Sequence, residues 1–253
     1  MDSINYRSGV LAASEKLEYG IDAPGVIRNL LVAGVACTLA AKVIPAFTLA
    51  GQHFDLTDNF LWAGIPCFLS GVFMYLYARF GKYRHRERML KMVSWRGDEK
   101  VLDVGTGRGL LMIGAAKKLS TGKAFGIDIW QTQDLSNNAI TLTQRNAILE
   151  GVKDKILLRS EDARKMTFDD DSFDVVFSNL CIHNMPKPED RRKAIREIVR
   201  VLKPGGQAII SDFQKTSEYV NTFKEAGLEV TRSAPYFLDT FPPLRVVTAK
   251  KLS

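Results

Sequence analysis

The chain has 253 residues, 46% of them apolar and 25% charged, which is typical of a folded globular protein. The net charge of +7 fits either nucleic acid or an anionic membrane surface as a partner. Three widely spaced cysteines without a C-x-x-C pair exclude a disulfide framework and a zinc signature, so we expect no metal.

Residues 1–24 do not resemble a signal peptide, because no basic stretch leads directly into an apolar core. We predict that they form a cytoplasmic segment. Tyr6, Tyr19 and Asp22 in this segment would allow it to act as a lid over a site, and a flexible tail is the alternative.

Two apolar runs follow, at about residues 26–50 and 60–78, and each is long enough to span a bilayer. The second run has no charge, and Trp62, Tyr75 and Tyr77 near its ends resemble an aromatic belt. The first run is interrupted by Lys42. Small residues in it would let two helices approach closely: Ala33, Gly34, Ala36, Ala40 and Ala41. We therefore predict a two-helix transmembrane hairpin over residues 25–80.

The flanking charges predict an orientation. The link between the runs holds Asp55 and Asp58 but no Lys or Arg, whereas Arg28 and the basic cluster Arg79–Lys91 flank the other ends. The positive-inside rule then places both termini in the cytoplasm. A buried helical cap on a soluble domain, an interfacial pair of helices, and a single span by the second run alone are the alternatives.

Residues 81–253 alternate strand and helix patterns, which predicts a doubly wound, mostly parallel seven-stranded α/β sheet with helices on both faces. The seven predicted strands are KVLDVG, KAFGIDI, KILLRS, SFDVVFSN, QAIISDF, LEVTRSA and LRVVTAK.

A glycine-rich turn follows the first strand, where such sheets bind ligands. Asp103 is followed by Gly105, Gly107 and Gly109, and Asp128 ends the second strand at the spacing of an acid that binds ribose hydroxyls. The G-x-G-x-G spacing differs from the G-x-G-x-x-G of dinucleotide sites, and a leading carboxylate suits a cationic ligand better than phosphates.

These segments, together with SEDARKMTF, SFDVVFSNLCIHNM and REIVRVLKPGG, resemble the class I S-adenosylmethionine-dependent methyltransferases over about residues 82–250. The small type 11 branch, in a membrane-bound form, is the most similar group. The resemblance implies S-adenosyl-L-methionine as cofactor and a Rossmann-like fold.

The resemblance also implies roles for individual residues. Gly105, Thr106, Gly107 and Gly109 would surround the amino-acid part of the cofactor, and Asp103 would neutralise its ammonium. Asp128 would bind the ribose, and Asp162 the adenine amino group. The remaining predicted contacts are Ile129 and Trp130 on the adenine, the amide of Ala163, and Asn179 and Leu180 at the transferring methyl.

His183 and Asp212, just after the fourth and fifth strands, are candidate catalytic residues, since a histidine has a suitable pKa for a general base. The sequence SNLCIHN lacks the Pro-Pro-Tyr element of nucleic-acid aminomethylating enzymes, so no nucleic-acid partner is expected. The sequence favours a membrane-anchored methyltransferase acting on a small or lipid-soluble acceptor such as a quinone-like ring, an isoprenoid acid or a lipid headgroup. A methyltransferase for a soluble molecule and a non-catalytic cofactor-binding membrane adaptor remain as alternatives.

Overall fold

The computed structural model describes residues 16–44 and 46–253. Part of the predicted segment 1–24, including Tyr6, therefore lies outside the described residues. The first helix, α1, spans Pro24–Val43, and two short antiparallel strands follow it, β1 (Phe47–Leu49) and β2 (Gln52–Phe54). The second helix, α2, spans Thr57–Leu76. We refer to residues 24–76 as the apolar hairpin.

The first predicted span, residues 26–50, is too long by about two helical turns. The helix ends at Val43, and Ile44 is already extended with φ −82° and ψ 107°. Residue 45 of the sequence is a proline, which disfavours the α conformation of the residue before it. The helical part of the first run is therefore 20 residues long, which is still the length needed to cross a bilayer.

The two hairpin helices touch each other at glycines. A Cβ on Gly34 would lie 2.6 Å from the Cβ of Phe68, and one on Gly64 would lie 2.8 Å from the Cβ of Cys37. Of the small residues expected at this contact, Gly34 and Ala41 are buried, whereas Ala33 and Ala36 are exposed. The close approach therefore depends on fewer positions than the sequence suggested.

The outer surface of the apolar hairpin consists largely of exposed apolar side chains. Only 17% of the residues in the apolar stretch of each helix are buried. The exposed apolar residues include Val32, Val35, Leu39, Trp62, Ile65, Phe68, Leu69 and Phe73. By length and composition, both helices qualify as candidate membrane spans. A buried helical cap would show the opposite pattern of burial.

The second hairpin helix continues without a break into the rest of the protein. It passes through a π-helical turn, Tyr77–Gly81, into α3 (Lys82–Leu90), so that one helix of 34 residues runs from Thr57 to Leu90. At 1.5 Å per residue its length is about 50 Å. The predicted boundary between hairpin and enzyme therefore lies inside a helix and not in a loop.

Residues 82–253 form what we call the sheet domain, and its strands confirm the predicted fold class. They are β3 (Lys100–Val104), β4 (Lys123–Asp128), β5 (Ile156–Ser160), β6 (Phe173–Asn179), β7 (Leu202–Asp212), β8 (Glu229–Arg232) and β9 (Arg245–Lys250). Their order in the sheet is β5-β4-β3-β6-β7-β9-β8. All neighbouring pairs are parallel except those of β9, which is antiparallel to both β7 and β8.

The helices of the sheet domain cover two apolar faces. They are α4 (Leu110–Ala116), α5 (Ile140–Leu149), α6 (Pro188–Val201) and α7 (Thr216–Glu225). One core cluster joins the sheet to α6 and α7 through residues such as Ile195 and Phe223. The other includes Met89 and Leu90 of α3 together with Ile113 of α4. The continuous helix is thus anchored in the core of the sheet domain.

Candidate active site

The carboxyl ends of β3, β4 and β6 meet at the centre of the sheet, where the order of the strands reverses. Open α/β sheets bind ligands at such a point. A cavity of about 320 Å³ lies there. Its walls include ten of the twelve residues predicted to bind the cofactor: Asp103, Gly105, Thr106, Gly107, Asp128, Ile129, Asp162, Ala163, Asn179 and Leu180. We call this cavity the cofactor pocket.

The glycine-rich turn after β3 can be built only with glycine. Gly105 and Gly107 have positive φ angles of 73° and 51°, which other residues rarely adopt. A Cβ on Gly105 would lie 2.3 Å from the Sγ of Cys181. The backbone of the turn therefore packs directly against Cys181, which also lines the pocket.

Asp128 holds this turn in place. Its carboxylate accepts hydrogen bonds from the backbone N–H of Gly107 (2.8 Å) and of Trp130 (2.6 Å), and from the Asn138 side chain (3.2 Å). A carboxylate has about four acceptor positions, so one remains for a ligand hydroxyl. Asp128 is therefore both a structural link between β3 and β4 and a candidate ribose contact.

Asp103 lies beneath the turn and is 2% exposed. Its Oδ2 accepts hydrogen bonds from the hydroxyl of Thr106 (2.9 Å) and from the N–H of Met112 (3.0 Å). Burial nevertheless raises the pKa of Asp103 to about 7, since these two bonds only partly offset the loss of hydration. A cation in the pocket would restore the ionised form.

Asp162 lines the opposite part of the pocket and already has a strong partner. The Arg164 guanidinium binds both of its oxygens, at 2.5 to 3.0 Å, and lowers the pKa of the carboxyl. The same arginine also binds Asp190 at 3.0 Å. An adenine amino group would therefore share an acceptor that Arg164 keeps ionised.

Asn179 and Leu180 follow β6 at the centre of the pocket. The Asn179 Oδ1 atom is buried and has no hydrogen-bond partner. Leu180 has a positive φ of 53°, and its N–H donates to the carbonyl of Ser211. Strain at a non-glycine residue in this place is consistent with a functional role.

Two of the predicted cofactor residues lie outside the walls of the pocket. Gly109, with φ 84°, begins α4 and approaches Ile113 and Thr143. The Trp130 indole donates to the hydroxyl of Ser160 at 2.7 Å. In this structure Gly109 shapes the glycine turn and Trp130 shapes the loop after β4. Direct contact of either residue with the cofactor stays a prediction.

The two candidate catalytic residues form a pair next to the pocket. The Nδ1 atom of His183 lies 3.0 Å from the Asp212 carboxylate, which also accepts from the Tyr219 hydroxyl (3.0 Å) and the Phe213 N–H (2.9 Å). Asp212 is completely buried. The Asp212 carboxylate therefore cannot contact the methyl acceptor. Its hydrogen bond to Nδ1 instead orients the His183 ring.

The strap, residues 18–23, crosses the pocket and contributes residues to its wall. Ala23 N–H donates to the carbonyl of Asp134, and the Ile21 N–H donates to the Ser136 hydroxyl. Tyr19 and Asp22, named as lid residues from the sequence, line the pocket. The sequence did not single out Lys82 and Arg108 as pocket residues, because they appeared to be surface cations.

Arg108 is 2% exposed, and among the described residues its Nε and Nη2 atoms have no hydrogen-bond partner. Its Nη1 atom binds the carbonyl of Glu18 at 3.2 Å. A buried guanidinium with free donors fits the carboxylate of an amino acid. Together with the glycine cradle and Asp103, it makes the donor set of the pocket suitable for the zwitterionic end of S-adenosylmethionine.

Comparison with known proteins agrees with this geometry. Residues 102–210 match the family model described as a methyltransferase domain. A solved S-adenosylmethionine-dependent methyltransferase from Methanosarcina mazei has a TM-score of 0.54 and 21% identity, covering 64% of this chain and 97% of that one. Residues 102–210 are therefore similar to a methyltransferase domain, and the sheet domain has the fold of the S-adenosylmethionine-dependent methyltransferases, whose cofactor the donor set of the pocket fits.

Two curated relatives carry more specific names. The chain is 34% identical to the chloroplastic 2-phytyl-1,4-beta-naphthoquinone methyltransferase of Arabidopsis thaliana, over 57% of this chain and 54% of the relative. It is 31% identical to the demethylmenaquinone methyltransferase of Lactiplantibacillus plantarum, over 51% of this chain and 52% of the relative. The chain thus spans about half the length of these relatives.

Proposed function

We propose that the protein is a membrane-anchored methyltransferase that transfers a methyl group to a small, lipid-soluble acceptor. One observation carries the proposal: a single continuous helix joins a cofactor pocket to an apolar hairpin with exposed apolar side chains. Exposed apolar surface of this extent indicates an interaction with lipid or another apolar partner. The quinone-related names of the two relatives support an acceptor of this kind.

S-adenosylmethionine supplies an already activated methyl group, so the protein mainly has to bind, align and exclude water. In this proposal, Asp128 holds the ribose, Asp103 faces the ammonium and Arg108 faces the carboxylate. Asn179 and Leu180 lie beside the position of the methyl group.

His183 is the proposed general base where the acceptor arrives protonated. With Nδ1–H donated to Asp212, its Nε2 atom would be unprotonated and able to take a proton. Asp212 and Tyr219 hold the ring in this orientation. The assignment requires His183→Ala to reduce turnover while leaving cofactor affinity unchanged.

The charges around the hairpin support a cytoplasmic location for the sheet domain. Arg79, Arg84 and Lys91 are exposed on the domain side, as is Arg28. The predicted basic cluster is smaller than its sequence suggests, because Lys82 is buried and Arg88 binds Asp239. Each exposed cation near an anionic leaflet contributes about 1 kcal/mol of attraction.

The proposed activity is tested by incubating the full chain with total membranes and S-adenosylmethionine carrying a radiolabelled methyl group. We expect the label in the organic phase after solvent partition. Label found only in the aqueous metabolite fraction would instead support a methyltransferase for a soluble molecule. Cofactor binding without transfer to any fraction would support a non-catalytic adaptor.

The proposed anchoring is tested separately by fractionation. We expect the full chain in the membrane fraction after an alkaline wash, and in solution only with detergent. Protease added from the cytoplasmic side should digest the sheet domain. A chain that stays in the aqueous phase without detergent would contradict the membrane location.

A further inference from the structure

The wall of the cofactor pocket nearest the apolar hairpin contains an ion pair between a buried lysine and a partly exposed aspartate. The Lys82 ammonium donates to the backbone carbonyls of Tyr19 (2.9 Å) and Gly20 in the strap, and it lies 3.7 Å from the Oδ2 atom of Asp22. Lys82 is 4% exposed. At 3.7 Å the pair has an electrostatic attraction but no hydrogen bond, so the Asp22 oxygen is left without a donor.

Three polar atoms without a hydrogen-bond partner among the described residues lie here, where the hairpin meets the carboxyl end of β6. They are Asp22 Oδ2, Asn179 Oδ1 and the Tyr77 hydroxyl, all shielded from solvent. Tyr77 lies near both Asp22 and Asn179, and its hydroxyl makes at most a weak hydrogen bond to the Asn179 side chain. A buried polar atom without a partner destabilises the folded state. Three in one place would therefore stabilise a bound polar group.

The chemistry of the three atoms restricts that group. Asp22 and Asn179 present acceptors, whereas Tyr77 presents a hydroxyl that can donate. Lys82 counteracts the effect of burial, which raises the pKa of Asp22. A group that both donates and accepts therefore fits best, since a hydroxyl can accept from the Tyr77 hydroxyl and donate its single proton to the Asp22 carboxylate. A carboxylate or a phosphate, which only accepts, would meet the Asp22 carboxylate with like charge.

We propose that Asp22, supported by Lys82 and Tyr77 and joined by Asn179, forms the subsite that binds a hydroxyl group of the methyl acceptor. This inference rests on the proposed function and narrows its substrate class to apolar molecules that carry a hydroxyl, such as a phenol. It disfavours the isoprenoid acids and anionic lipid headgroups that the sequence left open. Tyr77 directly follows the last residue of α2, so such a molecule would reach the subsite from the hairpin side.

The same Asp22 carboxylate has a competing use, since it lies in the pocket of a cofactor that carries an ammonium. Asp103, under the glycine turn, is the other candidate for that cation. An Asp22 variant distinguishes the two uses. If Asp22 binds the methyl acceptor, the variant loses affinity for the hydroxyl compound only. If Asp22 binds the ammonium, the variant loses affinity for the cofactor.

The test is a calorimetric titration of the full chain in a fixed concentration of non-ionic detergent, saturated with S-adenosylhomocysteine. The probes are 4-nonylphenol, its methyl ether and decanoic acid. We expect the phenol to bind at least about tenfold more tightly than either of the other two, the factor expected from one charge-assisted hydrogen bond. Asp22→Asn should reduce phenol affinity by a similar factor, and Asp22→Ala by more.

Affinity for S-adenosylhomocysteine, measured first, should stay within about twofold of wild type in both variants, which also shows that they are folded. Asp98→Asn is the matched control, because it removes an exposed carboxylate that does not line the pocket. Equal binding of the phenol and its ether, or a selective loss of S-adenosylhomocysteine affinity in Asp22→Asn, would overturn the subsite. If wild type does not bind S-adenosylhomocysteine at all, the proposed function itself fails.

Discussion

The apolar hairpin and the sheet domain arrange similar apolar residues in opposite ways. In the sheet domain the large apolar side chains point inward, and Phe173, Phe177 and Phe223 are completely buried. In the hairpin the glycines lie inside the helix contact and Trp62 is 80% exposed. The difference shows that the two regions are adapted to different surroundings, although one helix belongs to both. The predictions below test how far the two regions are independent.

The largest effect is expected inside the sheet domain, from Asp128→Ala. The substitution removes the proposed ribose contact and also the acceptor for the Gly107 and Trp130 amides. Loss of one charge-assisted hydrogen bond to the ligand, together with a loosened glycine turn, corresponds to roughly a hundredfold weaker binding of S-adenosylhomocysteine by calorimetry. Asp98→Ala, at an exposed carboxylate paired with Arg96, is the control. Wild-type affinity in the Asp128 variant would remove the ribose assignment.

Deletion of residues 1–80 tests whether the sheet domain is independent of the hairpin. We expect a soluble domain, because the apolar surface of the hairpin is gone. The strap contributes Tyr19 to the pocket wall and binds Arg108, so cofactor affinity should fall by about tenfold. The measurements are size-exclusion chromatography without detergent and calorimetry with S-adenosylhomocysteine. Full affinity in the truncated domain would show that the strap does not support the pocket.

A smaller effect on the pocket is expected from changes in the hairpin contact. Gly34→Ile would force side-chain atoms into Phe68, 2.6 Å from the position of its Cβ, and should push the two helices apart. Hydrogen exchange of α1 and α2 should increase, while cofactor affinity stays within about twofold. Gly25→Ile, where nothing lies within 4 Å of the new Cβ, is the matched control. A large loss of cofactor affinity would show that the long helix transmits the change.

The smallest expected effect is the release of less than one proton for each S-adenosylhomocysteine molecule that binds. Burial raises the pKa of Asp103 to about 7, so at pH 6 most free protein carries a protonated Asp103. An ammonium beside it lowers that pKa, so binding should release protons at pH 6 and none at pH 8. Calorimetry of S-adenosylhomocysteine binding in buffers of different ionisation enthalpy measures this release. It should vanish in Asp103→Asn. Persistence there would assign the released proton to another group.

The sheet was predictable because its signals are local. Strand-length apolar runs, Pro-Gly-Gly after α6 and acids at the ends of β3 and β4 each restrict the fold on their own. The resemblance to the class I methyltransferases indicated ten residues that line the pocket. Gly109 and Trp130 lie outside its walls, and their contact with the cofactor stays a prediction, because a turn residue that shapes a loop and one that touches a ligand have the same sequence pattern.

The remaining pocket residues depend on contacts distant in sequence. Lys82 appeared as one of several cations after an apolar run, and only the strap, 62 and 63 residues away, makes it a buried group. Arg108 lies in a predicted turn, yet it is buried under the backbone of Glu18. Nothing in the periodicity of a helix or strand reports such pairings. The end of α1 at Val43 was missed because hydropathy alone does not define where a helix ends.

The continuous helix has a consequence for how an acceptor is delivered. Lys82 at the pocket comes six positions after Leu76, the last residue of α2, which is about 9 Å along the axis. In the proposed membrane arrangement, the polar group of the methyl acceptor therefore has to rise only to the level of the phospholipid head groups. The hydrocarbon tail of the acceptor stays in the acyl layer. Each methylene that remains there avoids about 0.8 kcal/mol of extraction work. The rigid helix thus acts as a spacer of fixed height, and the length of the acceptor's tail should have little influence on how readily the enzyme captures it.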